Sequence, residues 1–177
     1  WSGLAPAARK KVLHKVADLI EQHMLELAVL GVRDNGTEIS MALRAEPGSA
    51  AATFRYYAET CDKINGDIAP TAPGTLGLIH REPVGVVGAI IPWNFPLMFT
   101  SWKLGPALAA GNTVVMKPSE LTPLSTLRIA ELALEVGFPP GVLNVVPGYG
   151  HTAGARIADH PDIGKISFTG STATGRS

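Results

Sequence analysis

The 177-residue chain has room for one domain with a buried core. Its 15 basic and 15 acidic side chains cancel, which argues against an electrostatic nucleic-acid binder or a protein held on an anionic membrane. Charged residues make up only 17% of the chain, and Gly and Pro number 19 and 14, so turns are frequent and some faces expect cover.

One cysteine, Cys61, excludes an intrachain disulfide framework and a Cys-rich zinc site. No basic stretch leads into an apolar leader, and no apolar run reaches the ~20 residues of a membrane span. The expected location is the cytoplasm, with no membrane partner. Beginning at Trp1 and stopping at Ser177 just as a helix is expected to start, the chain reads as part of a longer protein.

Residues 1–65 predict a helical layer. Pro6 suits a first helical turn, and Val12, Leu13, Val16, Leu19 and Ile20 recur at helical spacing, with the basic cluster at 9–15 on a solvated face. A second short helix carries Leu25, Leu27, Ala28 and Leu30 up to the breaker Asp34-Asn35-Gly36, and a third spans about 47–64. Residues 66–82 are rich in Gly and Pro and predict an extended arm or oligomerisation strand around 76–80.

From residue 83 onward, strands and helices alternate. Residues 84–91 form an apolar run of the kind buried on both faces of a parallel sheet. A helix at 96–110 stops at Gly111, a strand follows at 113–116, then a helix at 123–136, a strand at 143–146, a helix at 151–159 and a strand at 165–168. This alternation predicts an α/β fold, a Rossmann-like open parallel sheet with helices on both faces, incomplete and preceded by the helical layer.

Ligands of such sheets bind beyond the carboxyl ends of the strands. The first strand ends in Ile91-Pro92-Trp93-Asn94-Phe95-Pro96, where two prolines frame Asn94 either as a fixed amide donor or as the cap of the next helix. The second ends in Lys117-Pro118-Ser119-Glu120. There the carboxylate suits ribose hydroxyls and the ammonium suits a hydroxyl or phosphate, or else Ser119 or Glu120 caps the following helix. Pro147-Gly148-Tyr149-Gly150 is either a plain turn or a place where an adenine reaches the backbone. The last strand ends in Phe168-Thr169-Gly170-Ser171, a Gly-Ser turn that offers N–H groups and a hydroxyl to phosphate at a helix start. The five histidines show no close metal pairing, no Gly-x-Ser-x-Gly elbow occurs, and Cys61 has no neighbouring His, so it reads as a structural thiol.

Taken in order, Glu82-Pro83-Val84-Gly85-Val86, the 91–96 loop, Trp102 through Asn112, Lys117-Pro118-Ser119-Glu120 and Phe168-Thr169-Gly170-Ser171 resemble the NAD(P)-dependent aldehyde dehydrogenase superfamily over nearly the whole chain. The stretch from Trp1 through Glu59 looks most like the γ-glutamyl-γ-aminobutyraldehyde type. The resemblance implies oxidation of an aldehyde to a carboxylic acid through a cysteine thiohemiacetal and thioester, with NAD or NADP taking the hydride, in a homo-oligomer. It matches Asn94 to an oxyanion-stabilising amide, and Ile91, Pro92, Trp93, Asn94, Lys117, Pro118, Ser119, Glu120, Gly150, Phe168, Thr169, Gly170 and Ser171 to cofactor-lining positions. Lys103 matches a charge-relay lysine or a buried structural partner, and Asp34 with the Leu121 carbonyl matches a monovalent-cation site. The family's nucleophilic cysteine and general-base glutamate correspond to positions after Ser177, and Cys61 matches an ordinary helix position. Residues 1–177 are therefore expected to form part of a cofactor-binding domain without the catalytic domain. The alternative is a stand-alone, non-catalytic nucleotide-binding or interaction module.

Overall fold

The computed structural model describes residues 1–176. The helical layer has four helices: α1 (Pro6–Gln22), α2 (Met24–Asn35), α3 (Ile39–Ala45) and α4 (Pro47–Thr60). The periodicity places α1, α2 and α4, but α3 escapes it. Glu38 opens α3 by accepting from the Ser40 and Met41 amides, and Pro47 starts a new helix because a proline lacks the N–H that would continue the old one. Glu46 is the hinge residue between α3 and α4, and it is buried.

Arg9 corrects the expectation of a wholly solvated basic face. It turns inward, and its Nε donates to the Ala109 carbonyl at 3.3 Å. A late helical carbonyl lacks an intrahelical donor, so a guanidinium is a suitable partner. The layer's core is Leu13, Val16 and Ile20 of α1 against Phe54 and Ala58 of α4, all fully or almost fully buried.

The arm is a two-stranded antiparallel hairpin, β1 (Asp67–Ala69) with β2 (Gly77–Ile79), separate from the main sheet. Ile68, Leu76 and Leu78 on it are each 70% or more exposed.

The main sheet comprises β3 (Val86–Ile90), β4 (Thr113–Lys117), β5 (Leu143–Val145) and β6 (Ile163–Phe168). All its pairings are parallel and the order is β5-β4-β3-β6. The chain steps outward from β3 to β5 and then returns to the far side of β3, so β3 and β6 flank the topological switch point.

Helix α5 (Pro96–Ala109) joins β3 to β4 and α6 (Leu124–Glu135) joins β4 to β5. Helices α1 and α4 pack on α5, so α5 is sandwiched between the sheet and the helical layer. It is accordingly apolar nearly all round, with Leu97, Leu104 and Leu108 almost fully buried, and Gly111 ends it at φ +88°. The opposite face is covered by a π-helical turn, Gly150–Gly154, running into α7 (Ala155–Ala158). Ile157 of α7 comes so close to β3 that a Cβ on Gly88 would lie 2.6 Å from its Cγ2. Helices thus cover both faces of a parallel sheet. The helix expected after Gly170 is, among the described residues, a single 3-10 turn at Thr174–Arg176.

Candidate active site

The carboxyl ends of three adjacent strands are tied together. The Thr169 amide donates to the Ile90 carbonyl at 3.0 Å, and the Ile91 amide donates to the Lys117 carbonyl at 3.2 Å. The loops after β3, β4 and β6 therefore share one rim. The π-turn reaches the same rim, because Gly154 packs toward the Lys117 side chain.

At the end of β3, Pro96 becomes the first residue of α5 while Trp93 and Asn94 stay exposed. Asn94 does not cap α5, so that alternative is set aside. The Leu97 and Met98 amides instead donate to Oε2 of Glu46, at 2.9 and 3.1 Å, across 51 and 52 positions of sequence. Asn35 Nδ2 donates to the Asn94 carbonyl at 3.4 Å. Among the described residues, nothing bonds the Asn94 side-chain amide, which is free to donate outward.

At the end of β4, Lys117 is 3% exposed, and its ammonium donates to the Pro118 carbonyl at 3.0 Å and to Glu120 Oε2 at 3.2 Å. Glu120 is exposed. Its carboxyl is held below the usual range, first by its own backbone amide and then by Lys117, with a further contribution from the charge of His151. An ionised carboxylate and a fixed ammonium thus stand side by side at the rim.

Neither Ser119 nor Glu120 caps α6. That role falls to Asp34, whose Oδ2 accepts from the Leu124 amide at 2.9 Å. Ser119 instead accepts from the Leu121 amide within its own turn. At the end of β6, Ser171 Oγ accepts from the Thr174 amide at 3.2 Å and pairs with the Thr174 hydroxyl, so it closes the 3-10 turn. Gly170 and Ser171 are exposed at the rim, but as a loop and one turn rather than the start of a long helix. Gly150, another expected lining residue, is exposed and opens the π-turn.

The profile described as "Aldehyde dehydrogenase family" matches residues 1–177. The chain belongs to the aldehyde dehydrogenase family. It is 56% identical over 176 residues to the NADP/NAD-dependent aldehyde dehydrogenase PuuC of Escherichia coli (strain K12), covering 99% of this chain and 36% of that protein. Among solved structures it is similar to PnpE in complex with nicotinamide adenine dinucleotide, at 59% identity and a TM-score of 0.97 over 99% of this chain and 36% of that one. An aldehyde dehydrogenase from Bacillus cereus in its NAD⁺ complex gives 50% identity and a TM-score of 0.96, with the same coverages. The chain spans about a third of the length of these relatives.

This aldehyde dehydrogenase chain keeps Lys103 half-buried in α5 without an ion-pair partner among the described residues, and burial pushes its pKa down. Next to Lys103, Trp102 lines an open groove of about 540 Å³ together with Ser49, Ala52, Thr53, Tyr56 and Tyr57. Cys61 is buried, its Sγ meets the Tyr57 carbonyl at 3.6 Å, and burial pushes its thiol pKa up. A raised thiol pKa removes thiolate, the nucleophilic form.

Around Asp34, no group of three or more His, Cys, Asp or Glu side chains gathers among the described residues. Two buried hydroxyls beside the turn that Asp34 caps, Thr122 Oγ1 and Ser125 Oγ, have no partner there. One carboxylate with neutral oxygens suits a monovalent cation better than a divalent one. The residues that the sequence did not single out are Glu46 and Asn35. The sequence carries no signal for them, because Asn94 stands ready as a cap for α5 and only the structure shows the helix opening without a side-chain cap of its own.

Proposed function

We propose that the protein carrying this chain oxidises an aldehyde to a carboxylic acid with NAD, or NADP, as hydride acceptor, and that residues 1–177 supply most of the cofactor cradle and one oxyanion donor. The carrying observation is the shared rim: the free Asn94 amide, the Lys117–Glu120 pair and the Gly170-Ser171 turn lie at the ends of three hydrogen-bonded neighbouring strands.

The donor set fits a dinucleotide. Glu120 is an exposed acceptor for ribose hydroxyls, Lys117 is a fixed cation, and Ser171 with the neighbouring amides suits phosphate. Ile91, Pro92, Trp93, Pro118, Ser119, Gly150, Phe168, Thr169 and Gly170 complete the lining. When bound, the cofactor accepts the hydride that leaves the substrate carbon.

Asn94 donates to the substrate oxygen as that oxygen gains negative charge. A donor fixed beforehand needs no reorganisation at that moment, and such donors are worth about 2.7–4 kcal/mol each. Lys103, depressed by burial, lies in α5, the helix that follows the Asn94 loop, and would relay a proton. The groove beside Trp102 offers the aldehyde's tail a place along α4 and α5. A buried Cys61 with a raised pKa supports a nucleophile and a general base that come from elsewhere in the whole protein. Asp34 and the Leu121 carbonyl would hold a monovalent cation, and the unpartnered hydroxyls of Thr122 and Ser125 lie in the same stretch of chain as Leu121.

The exposed Ile68, Leu76 and Leu78 of the β1–β2 arm support association with a second copy of the same protein. No helix of the described residues is long and apolar enough to cross a membrane, and we place the protein in the cytoplasm.

The test is aldehyde-dependent NAD reduction by the whole protein and its Asn94→Ala variant. The expected result is activity that falls about 10²–10³-fold in kcat in the variant while NAD affinity holds. Absence of aldehyde oxidation in the whole protein would refute the reading.

A further inference from the structure

Asn94 is useful as an oxyanion donor only if its loop is fixed, and the two prolines restrict the loop's backbone angles without supplying hydrogen bonds to hold it in place. Pro92 and Pro96 supply no N–H, and the first turn of α5 has no side-chain cap of its own. The Leu97 and Met98 amides, in the turn directly after Asn94, would be left without partners in a part of the structure where Leu97 is almost fully buried. Both donate to the same carboxylate oxygen, Oε2 of Glu46. Glu46 as a residue is 5% exposed and sits at the α3–α4 hinge, in a layer packed against α5. From the other side, Asn35 Nδ2 holds the Asn94 carbonyl.

We infer that Glu46 is a positioning residue for the reaction: by gripping the first amides of α5, and with Asn35 on the Asn94 carbonyl, it holds the Asn94 amide where the oxyanion forms. The inference rests on the oxyanion reading of Asn94 given above. It goes beyond that reading by assigning a role in turnover to a residue 48 positions earlier that touches neither substrate nor cofactor.

The chemistry makes the role specific. A buried carboxylate at a helix N-terminus meets both the orphan amides and the positive end of the helix dipole. Losing the acceptor leaves two N–H groups to find other partners, and the turn that carries Asn94 shifts with them. A misplacement of about 1 Å costs on the order of 10²-fold in an oriented reaction. Because Glu46 acts through Asn94, its effect must vanish once the Asn94 amide is gone.

The experiment is a double-mutant cycle in the whole protein, with kcat, the KM for NAD and the melting temperature measured for each variant. Glu46→Ala is expected to lower kcat about 10–100-fold while the KM for NAD stays within about twofold. Glu46→Gln, whose amide oxygen still accepts from both N–H groups, is expected to recover most of the rate. In an Asn94→Ala background, Glu46→Ala is expected to add almost nothing, the signature of two residues acting on one interaction. Should Glu46→Ala fail to fold, Glu46→Asp takes its place, since it keeps the charge but shortens the reach by one methylene. The same loss of kcat, absent without Asn94, is then expected. A rate loss that persists undiminished in the Asn94→Ala background makes Glu46 a purely structural residue and overturns the inference. So does an unchanged kcat in Glu46→Ala, or in Glu46→Asp where it replaces that variant. An Asn94→Ala variant with unchanged kcat overturns the parent reading instead, and the inference with it.

Discussion

The Asp34 carboxylate accepts the Leu124 amide at 2.9 Å across 90 positions of sequence, so the second sheet helix is capped by the helical layer and not by its own loop. The same arrangement recurs at α5 with Glu46. Two carboxylates of the first 46 residues thus fix the two helices whose N-termini follow the functional loops, leaving Glu120 and Asn94 free to face a ligand.

Removing the Asp34 cap should therefore destabilise the protein while removing Glu120 should not. An N-cap oxygen contributes about 0.5–2 kcal/mol, so Asp34→Ala should lower the unfolding free energy by roughly 1 kcal/mol. Glu120→Ala, at an exposed position, should stay within about 0.5 kcal/mol of the parent. Denaturant titration of the three proteins checks this, and equal losses in both variants would return the capping role to the local loop.

The buried carboxylates also give the stability a pH signature with a definite sign. Burial pushes the carboxyls of Asp34 and Glu46 above the usual range, and their amide bonds offset this only in part. A raised folded pKa means that the folded state holds the proton more tightly than the unfolded one. Their stabilisation is thus full below the unfolded value of about 4 and is lost as pH rises through the folded values. Glu59, held low by Lys10 and His14, has the opposite slope and loses its contribution as pH falls. Glu46→Gln cannot titrate, so its melting temperature should rise relative to the parent between pH 4 and pH 7. A difference that stays flat or shrinks over that range would contradict the assignment.

How much of this was legible in the sequence follows from the range of each interaction. Val86–Ile90 and Thr113–Lys117 announce themselves as apolar runs, and the polar residues at their ends mark the rim, because both signals are local. The Lys117–Glu120 contact spans three residues, so its pairing could be anticipated from spacing alone. Glu46 and Asp34 could not, since their partners lie 51 and 90 positions away and nothing in their neighbourhoods points there. Arg9 sits in a basic cluster whose pattern reads as solvated, and only the Ala109 carbonyl, 100 positions on, turns it inward. Helix α3 is seven residues long, too short for a periodic apolar stripe to register.

The packing under the rim predicts a strict size limit at Gly88. An added Cβ would stand 2.6 Å from Ile157 Cγ2 and 2.7 Å from Ile166 Cδ1, below any normal contact. Overpacking of this kind costs about 1–3 kcal/mol, so Gly88→Ala should destabilise by that amount. Combined with Ile157→Ala, which removes the Cγ2, the pair should cost less than the sum of its single changes. Strict additivity in thermal unfolding would show that α7 moves away freely and does not pin the sheet.

The choice between NAD and NADP turns on Glu120. Its carboxyl is held below the usual range, first by its own backbone amide and then by Lys117, so it is ionised at neutral pH. In the proposed cradle it would accept hydrogen bonds from ribose hydroxyls and repel a 2′-phosphate in the same place. Lys117 tempers the repulsion, because its ammonium is fixed 3.2 Å from Glu120 Oε2 and carries the opposite sign. The whole protein should therefore favour NAD over NADP in kcat/KM, without excluding NADP. Glu120→Gln removes the charge but keeps an acceptor, and should raise kcat/KM for NADP about tenfold relative to NAD, equivalent to ~1.4 kcal/mol of relieved repulsion. Lys117→Met should lower kcat/KM for both, and more for NADP. Glu120 does not change charge between pH 6 and pH 8, so the preference for NAD should sharpen there only as the 2′-phosphate, with a second pKa of about 6, loses its last proton. Steady-state kinetics with both cofactors measures all of these. A parent protein that prefers NADP, or a Glu120→Gln variant with an unchanged ratio, would show that the carboxylate does not face the ribose.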